Sequence, residues 1–260
     1  MNRNLLLISN STNAGEDYLA WPRQHLKSFY QGYGVKNILF VPYAGVNLAP
    51  DSVADSFDIY EKRVAGVFND LGLGIHSIHR ESDPIAAVMN AEAIAVGGGN
   101  TFHLVMMMQA TGAMDAIRER VLQGIPYAGW SAGSNVACPT MKTTNDMPIS
   151  EPPSFNCLNL IPFQINPHYL DANPAGHAGE TREQRILEFL TVNRDIYVAG
   201  LREGCLLKVT DDNMELIGER PLRIFKYGEE TREVNARDDL GFLLKTPKSP
   251  EGDLPLPSGG

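Results

Sequence analysis

The chain has 260 residues with a formal charge of −9 and a pI near 5.2, and it contains no basic run. These features argue against nucleic acid as a partner, and they require a local cation wherever an anionic ligand binds. Hydrophobic residues make up 43% and charged residues 20% of the chain, which excludes wholesale disorder and predicts a single folded domain over residues 1–245.

The first half of the chain alternates strand-like and helix-like segments. Short apolar runs typical of buried strands lie at Leu5–Ile8, Ile38–Val41, Ile75–Ile78, Ile94–Val96 and Tyr127–Trp130. Amphipathic patterns at Asp55–Leu71 and Asp115–Leu122 predict helices. This alternation predicts an α/β fold, with a mostly parallel sheet flanked by helices. Ligands of such sheets bind beyond the carboxyl ends of the strands.

The pattern changes in the second half. Asn135–Ser154 is rich in Pro, Thr, Asn and Asp, which predicts a long ordered loop of the kind that often carries function. Thr181 and Gln184 match a capping box that opens a helix reaching about Leu190. Strand-like runs follow at Ile196–Leu201, Leu206–Val209, Met214–Ile217 and Leu222–Tyr227. They predict a small antiparallel extension at the sheet edge, with a hairpin loop at residues 211–213.

Cysteine content and the two ends of the chain bear on its compartment. Cys138, Cys157 and Cys205 are odd in number and lack metal-ligand spacing, which argues against disulfides and a zinc site. The apolar run near the N-terminus is too short for a signal peptide or a membrane span. We therefore expect a cytoplasmic protein that does not enter a membrane. Residues 246–260 are rich in Pro, Gly and Ser and are expected to be a disordered tail.

A G-x-S-x-G sequence at Gly129–Gly133 is the first candidate for chemistry. It follows a strand-like run and precedes a helix-compatible segment. Small residues on both sides of Ser131 allow a strained turn that would project its hydroxyl group out of the sheet as a nucleophile. Because the pentapeptide is common, a structural turn with an incidental serine is the alternative.

A second glycine-rich turn, Gly97-Gly98-Gly99-Asn100, follows the strand-like run Ile94–Val96. Consecutive glycines let backbone N–H groups approach a ligand closely, and two such donors can stabilise an oxyanion. Gly98 or Gly99 would supply one donor and Ala132 the other. Phosphate binding is the weaker alternative, because the chain has neither GxGxxG nor a Walker lysine at this turn.

A serine nucleophile needs a general base and a group that orients that base. Of the six histidines, we favour His168, because it follows Asn166-Pro167 at the predicted end of a strand, where proline stiffens the chain. Asp146 and Glu203 both lie in loops that could reach the same edge of the sheet. Sequence spacing does not choose between them, because the members of a triad meet only in space.

Taken together, these segments resemble peptidase E, the α-aspartyl dipeptidase family of serine peptidases. The resemblance runs from about Leu5 to about Tyr227 and depends on several motifs in the right order. These motifs are SNST at Ser9–Thr12, FVPYAGV at Phe40–Val46, GGGNTF at Gly97–Phe102, GWSAG at Gly129–Gly133, CPTMKTTNDMPI at Cys138–Ile149, INPHY around His168 and GETREQR at Gly179–Arg185.

The resemblance implies a flavodoxin-like fold similar to class I glutamine amidotransferases, with Ser131 in place of their cysteine. It implies hydrolysis of dipeptides and some tripeptides with an N-terminal aspartate, without a metal or other cofactor. Ser131 would be the nucleophile and His168 the base, with Glu203 favoured as the orienting group and Asp146 shaping the site or assisting. Arg202 stands where we expect proline in bacterial relatives, which leaves the geometry of the Glu203 loop open.

Aspartate selectivity requires a cation for the substrate's side-chain carboxylate. We expect Arg182 to supply it, because a guanidinium binds a carboxylate in bidentate fashion, and we expect Asn100 to contact the substrate. A solvated helix arginine is the alternative for Arg182. The partner expected from the sequence is thus a small aspartyl peptide, with a homodimer as a further expectation. The rival classes are an α/β-hydrolase-type esterase and a non-catalytic binding module on the same fold.

Overall fold

Eleven strands, seven α-helices and two 3₁₀ helices (Ile78–Arg80 and Gly241–Leu244) make up the regular structure in the computed structural model, which describes residues 2–172 and 179–245. The strands are β1 (Asn2–Ile8), β2 (Asn37–Val41), β3 (Gly74–Ser77), β4 (Ile94–Val96), β5 (Gln123–Trp130), β6 (Gln164–Tyr169), β7 (Val198–Arg202), β8 (Leu206–Thr210), β9 (Asn213–Ile217), β10 (Leu222–Phe225) and β11 (Arg232–Val234). The helices are α1 (Arg23–Gly32), α2 (Val53–Asp70), α3 (Pro84–Met89), α4 (Thr101–Ala110), α5 (Ala113–Leu122), α6 (Ala132–Asn135) and α7 (Arg182–Val192).

The main sheet has seven strands in the order β3-β2-β4-β5-β1-β8-β9. Its first five strands are parallel, and β8 and β9 add an antiparallel edge, so the prediction of a mostly parallel α/β sheet is confirmed. Ile8 pairs with Trp130 and Val96 pairs with Gly129, which aligns the carboxyl ends of β1, β4 and β5. The residues that follow these three strands therefore meet at one edge, where α/β sheets bind ligands.

Helices cover both faces of this sheet because the strand side chains alternate between two apolar clusters. Leu5 and Leu7 of β1 face α4 and α5, on what we call the α4 face, whereas Leu6 and Ile8 face α1 and α2, on the α2 face. All four side chains are buried, and such burial stabilises the fold by about 1.5–3 kcal/mol for each large apolar side chain. The continuous apolar runs of the sequence thus reflect strands that are covered on both sides.

A second sheet of four strands, in the order β11-β10-β7-β6, packs on the α4 face. The sequence predicts a single antiparallel extension at the edge of the main sheet, and only β8 and β9 lie there. β7 and β10 instead join β6 and β11, and β6 runs parallel to β7. The expected composition of the extension is therefore wrong for β7 and β10, because periodicity identifies a strand but not its hydrogen-bonding partner.

Element boundaries follow local chemistry. Helix α2 begins two residues before its predicted start, since the Ser52 side chain accepts a hydrogen bond from Asp55 N at 3.0 Å and caps the helix. The predicted capping box of α7 is present, with Thr181 as N-cap and Gln184 closing it. The loop predicted at Asn135–Ser154 begins after Asn135 and extends to residue 163, and within it a single bridge joins Thr140 to Asn156. Helices α1 and α3 were not identified from the sequence.

Two predictions from the sequence are not tested by the structure. The predicted tail at residues 246–260 lies outside the described residues, and the extent of the domain stays a prediction. Among the residues that the structure does describe, no helix is long and apolar enough to cross a membrane.

Candidate active site

Ser131 occupies a strained turn between β5 and the short helix α6. Its φ and ψ are 54° and −112°, a positive φ that costs a non-glycine residue of order 1–3 kcal/mol. Its N–H donates to Ile8 O at 3.0 Å, which fixes the turn to the end of β1. A Cβ atom at Gly129 would lie 2.3 Å from Gly133 O, and one at Gly133 would lie 2.1 Å from Val96 O. Glycine at both positions is therefore what permits the turn.

The imidazole of His168 lies between Ser131 and Glu203. Its Nε2 is 2.8 Å from Ser131 Oγ and its Nδ1 is 2.7 Å from Glu203 Oε1. A carboxylate only accepts hydrogen bonds, so Nδ1 carries the proton and Nε2 is free to accept from the serine hydroxyl. This is the arrangement that a general base needs in order to activate a serine.

A bulge in β6 aims the His168 side chain. Pro167 pairs with Leu201 and Tyr169 pairs with Arg202, so His168 is an extra residue in the parallel pairing and has a φ of 53°. Its N–H donates to Ser9 Oγ at 3.0 Å, and Ser9 Oγ in turn donates to Leu201 O at 2.7 Å. Ser9 thus fastens the bulge to the end of β1, close to the turn at Ser131.

Asp146 is held on another part of the site. Its Oδ2 accepts hydrogen bonds from Thr101 N at 2.8 Å, Thr101 Oγ1 at 2.6 Å and Thr144 Oγ1 at 3.0 Å. These contacts tie the 143–147 loop to the start of α4. Of the two carboxylates predicted as partners of His168, the structure brings Glu203 to the imidazole and places Asp146 on the Thr101 side.

The second glycine turn packs against the nucleophile. A Cβ atom on Gly98 would lie 2.9 Å from Ser131 Cβ, and one on Gly99, which has a φ of 134°, would lie 2.1 Å from Ala44 O. Within residues 2–172 and 179–245, no protein acceptor contacts the N–H groups of Gly98 and Gly99. Ala132 is the first residue of α6, where helix N–H groups have no partner within the helix. Backbone N–H groups without a protein acceptor in the described part of the chain therefore lie close to Ser131, at Gly98 in the glycine turn and at Ala132 in α6.

The two residues predicted to bind substrate occupy different positions. Asn100 lines the same cleft as Ser131, but its side chain already caps α4 through His103 N and donates to Met147 O at 2.8 Å. Arg182 is the half-buried first residue of α7. Burial and the nearby Arg185 lower the pKa of the Arg182 guanidinium, and the charge of Asp146 opposes this shift. Arg182 is thus near enough to Asp146 to be influenced by its charge, but it is not among the residues that line the cleft.

The cleft itself has a volume of about 460 Å³. Its wall includes Tyr18, Arg63 and Ile149 as well as Ser131 and His168. Sequence reasoning did not identify Tyr18 or Arg63, and it included Ser9 only as part of the SNST motif. Arg63, almost three turns along α2, gives no sequence signal of its own, because only the tertiary fold turns that face of the helix toward the cleft.

One group of metal-type ligands exists within the described ranges, formed by Asp58, Glu61 and His79. Arg80 already pairs with Asp58 at 2.8 Å and with Glu61 at 2.5 Å, and His79 Nε2 lies 2.9 Å from Asp58. The Arg80 guanidinium thus already supplies the positive charge that a bound cation would bring to these two carboxylates. The His79 imidazole is in hydrogen-bond contact with Asp58. These residues lie apart from those that line the cleft.

Comparison with known families decides the family of this chain. The model of the family described as peptidase family S51 matches residues 5–217, a span that contains Ser131, His168 and Glu203. The chain belongs to peptidase family S51. As an S51 member it is a serine peptidase, and hence a hydrolase, in agreement with the resemblance read from its motifs.

Two relatives agree with the S51 assignment, and a solved structure shares the fold. The chain is 51% identical over 245 residues to Peptidase E of Nostoc sp. (strain PCC 7120 / SAG 25.82 / UTEX 2576), covering 94% of this chain and 98% of the relative. It is 47% identical over 242 residues to Peptidase E of Streptomyces coelicolor, covering 93% and 95% of the two chains. A crystal structure of a peptidase from an acI-B1 Actinobacterium has the same fold, with a TM-score of 0.63 at 16% identity, covering 92% of this chain and 97% of that one.

Proposed function

We propose that this S51 peptidase hydrolyses dipeptides, and some tripeptides, that carry an N-terminal aspartate, through an acyl-enzyme on Ser131. The observation that supports it is the imidazole of His168, with Nε2 at 2.8 Å from Ser131 Oγ and Nδ1 at 2.7 Å from Glu203 Oε1. A serine whose hydroxyl faces a correctly protonated imidazole is prepared for nucleophilic attack.

The reaction follows from these contacts. His168 Nε2 takes the hydroxyl proton as Ser131 Oγ attacks the peptide carbonyl, and the Nδ1–H bond to Glu203 stabilises the imidazolium that forms. The N–H groups of Gly98 or Gly99 and of Ala132 stabilise the oxyanion. The imidazolium then gives its proton to the leaving amine as the C–N bond breaks. Water, activated by the same imidazole, releases aspartate and restores the serine.

Selectivity for aspartate is assigned in this proposal to Arg182. The protein carries a net charge of −9, so a peptide with two carboxylates needs cations near the reacting centre. Arg182 stands at the start of α7, where the charge of Asp146 influences it, and partial burial lowers its hydration, which favours a substrate carboxylate as a partner. Asn100, whose amide is held at the rim of the cleft, would contact the bound peptide.

The proposed location is the cytoplasm. The three cysteines are buried free thiols, as expected for a protein that works in a reducing compartment.

Hydrolysis of Asp-Leu tests the proposed reaction, with a p-nitrophenyl ester as the comparison substrate. We expect Asp-Leu to be cleaved and Ser131→Ala to lose nearly all of that activity while remaining folded. The matched control is Ser82→Ala, an exposed serine outside the cleft. A serine-directed sulfonyl fluoride should add its mass to Ser131 alone. Cleavage of the ester without Asp-Leu would favour the esterase, and absence of both activities would favour a binding module.

A further inference from the structure

Arg63 places a guanidinium in the wall of the cleft that contains Ser131. It lies on α2, is exposed, and contributes to the same cleft as Ser131 and His168. Its Cζ sits 5.6 Å from the centre of the Tyr18 ring. Among residues 2–172 and 179–245 it forms no ion pair, which leaves its N–H donors available to a ligand.

A rigid surface supports this guanidinium. Trp130 Nε1 donates to Tyr18 OH at 3.0 Å, and Tyr18 OH lies 3.1 Å from Tyr60 OH, which donates to Gly98 O at 3.0 Å. The chain of contacts connects the ring beneath Arg63 to the turn beside the nucleophile. Burial raises the pKa of Tyr18 and of Tyr60, so both phenols stay neutral and neither neutralises the arginine.

Arg63 lies on the α2 face of the main sheet and lines the cleft, whereas Arg182 lies on the α4 side and is not among the residues that line it. Helix α2, which carries Arg63, covers the face lined by Leu6 and Ile8. Arg182 lies near Asp146, which is bound to Thr101 at the start of α4 on the other face. A peptide attacked at its carbonyl extends in two directions from that carbon, toward the acyl residue and toward the leaving residue.

We infer that Arg63 binds the α-carboxylate of the leaving residue and thereby favours dipeptides over longer peptides. This inference rests on the proposed function, in which Arg182 takes the aspartate side chain. In a dipeptide the terminal carboxylate lies one residue beyond the scissile bond, about 3.5 Å along the chain. A longer peptide presents a neutral amide at that point and loses the charge-assisted, bidentate contact that arginine offers.

Paired substrates test the inference: Asp-Leu, and Asp-Leu amide, which lacks the terminal charge. We expect the wild-type enzyme to prefer the free acid by about 10–100-fold in kcat/KM. Arg63→Met keeps the aliphatic stem and should make the kcat/KM values for the two substrates nearly equal. It should lose activity on the free acid and retain activity on the amide. Arg63→Lys should keep part of the preference. Lys62→Met, the matched control, removes an exposed neighbouring cation outside the cleft and should keep all of it.

Different outcomes separate this inference from the proposed function. If the wild-type enzyme cleaves Asp-Leu and its amide equally well, or if Arg63→Met retains the full preference for the acid, the inference is overturned while the peptidase proposal stands. Asn-Leu, which lacks the side-chain charge of aspartate, supplies a further check. If the activity that Arg63→Met loses depends on the aspartate side chain and not on the terminal carboxylate, Arg63 belongs to the other subsite and the inference is overturned. If neither aspartyl substrate is cleaved, the proposed function fails and the inference fails with it.

Discussion

Arg202 and Asp171 form an ion pair that joins the ends of the two strands that carry Glu203 and His168. Arg202 Nε donates to Asp171 Oδ2 at 3.0 Å, and Arg202 Nη1 lies 2.8 Å from Glu233 Oε2 in β11. Arg202 directly precedes Glu203, and Asp171 follows His168 by three residues. Arg202, which stands where we expected proline in bacterial relatives, therefore stabilises the Glu203 loop. The contact between His168 Nδ1 and Glu203 Oε1 is intact at 2.7 Å.

Removal of this brace should lower both stability and turnover. In Arg202→Met, whose parent side chain is 8% exposed, Asp171 and Glu233 lose their main partner, at a cost of roughly 1–3 kcal/mol after allowance for their exposure. We expect kcat for Asp-Leu to fall with little change in KM, because the His168–Glu203 geometry loosens. Urea unfolding and steady-state kinetics measure the two effects. Arg118→Met, an exposed arginine on α5, is the control.

The ion pairs of Arg202 with Asp171 and Glu233 predict that the stability of the protein depends on pH. The hydrogen bonds from Arg202 hold the pKa values of Asp171 and Glu233 below their ordinary range. A depressed carboxylate pKa contributes stability that is present above the unfolded-state pKa, near 4, and is lost as pH falls through the folded-state value. The wild-type free energy of unfolding should thus fall more between pH 6 and pH 3 than that of Arg202→Met. An equal fall in the free energy of unfolding for the two proteins would contradict a stabilising role of these ion pairs.

Substitution of each carboxylate should separate the roles of Glu203 and Asp146. Glu203→Gln removes the charge that orients and stabilises the His168 imidazolium, so we expect kcat to fall by about 10²–10⁴-fold. Its stability should change little, because the side chain is 42% exposed. Asp146→Asn should disturb the loop bound to Thr101 and have the smaller effect on kcat. Values of kcat for Asp-Leu distinguish the two roles, and a larger loss of kcat for Asp146→Asn than for Glu203→Gln would reverse the assignment.

Alanine at Gly99 should unfold or severely destabilise the protein. Its φ of 134° is unfavourable for any L-residue, and its Cβ would lie 2.1 Å from the backbone oxygen of Ala44. Gly66 offers a matched control within α2, where nothing lies within 4 Å of the added Cβ. Gly66→Ala should stabilise the protein by about 0.5–1 kcal/mol, as expected for a helix interior. Thermal unfolding of the two variants compares them directly, and similar melting temperatures would argue against a sterically closed turn.

The native thiols should be inert. Burial raises the pKa of Cys138 to about 12 and also raises the pKa values of Cys157 and Cys205, so little thiolate exists at pH 8. Ellman's reagent should modify none of the three in the folded protein and all three in guanidinium chloride. Rapid modification of a native thiol, with activity lost in parallel, would show that a cysteine is accessible near the site.

Much of the site can be predicted from short motifs because its backbone requirements are local. The turn at Ser131 needs glycine at positions 129 and 133, and the capping box at Thr181 needs glutamine three residues later; both leave a direct pattern in the sequence. Buried parallel strands likewise appear as continuous apolar runs, which was enough to predict the α/β class of the fold.

The sequence by itself therefore determined the fold class, the nucleophile turn and a short set of candidate residues. Tertiary structure alone decided that Glu203 meets His168 while Asp146 binds Thr101, that β7 and β10 leave the main sheet, and that Arg63 reaches the cleft. The physical reason is that these outcomes depend on contacts between segments far apart in the chain. Strand pairing and helix packing set such distances, and neither residue spacing nor periodicity encodes them.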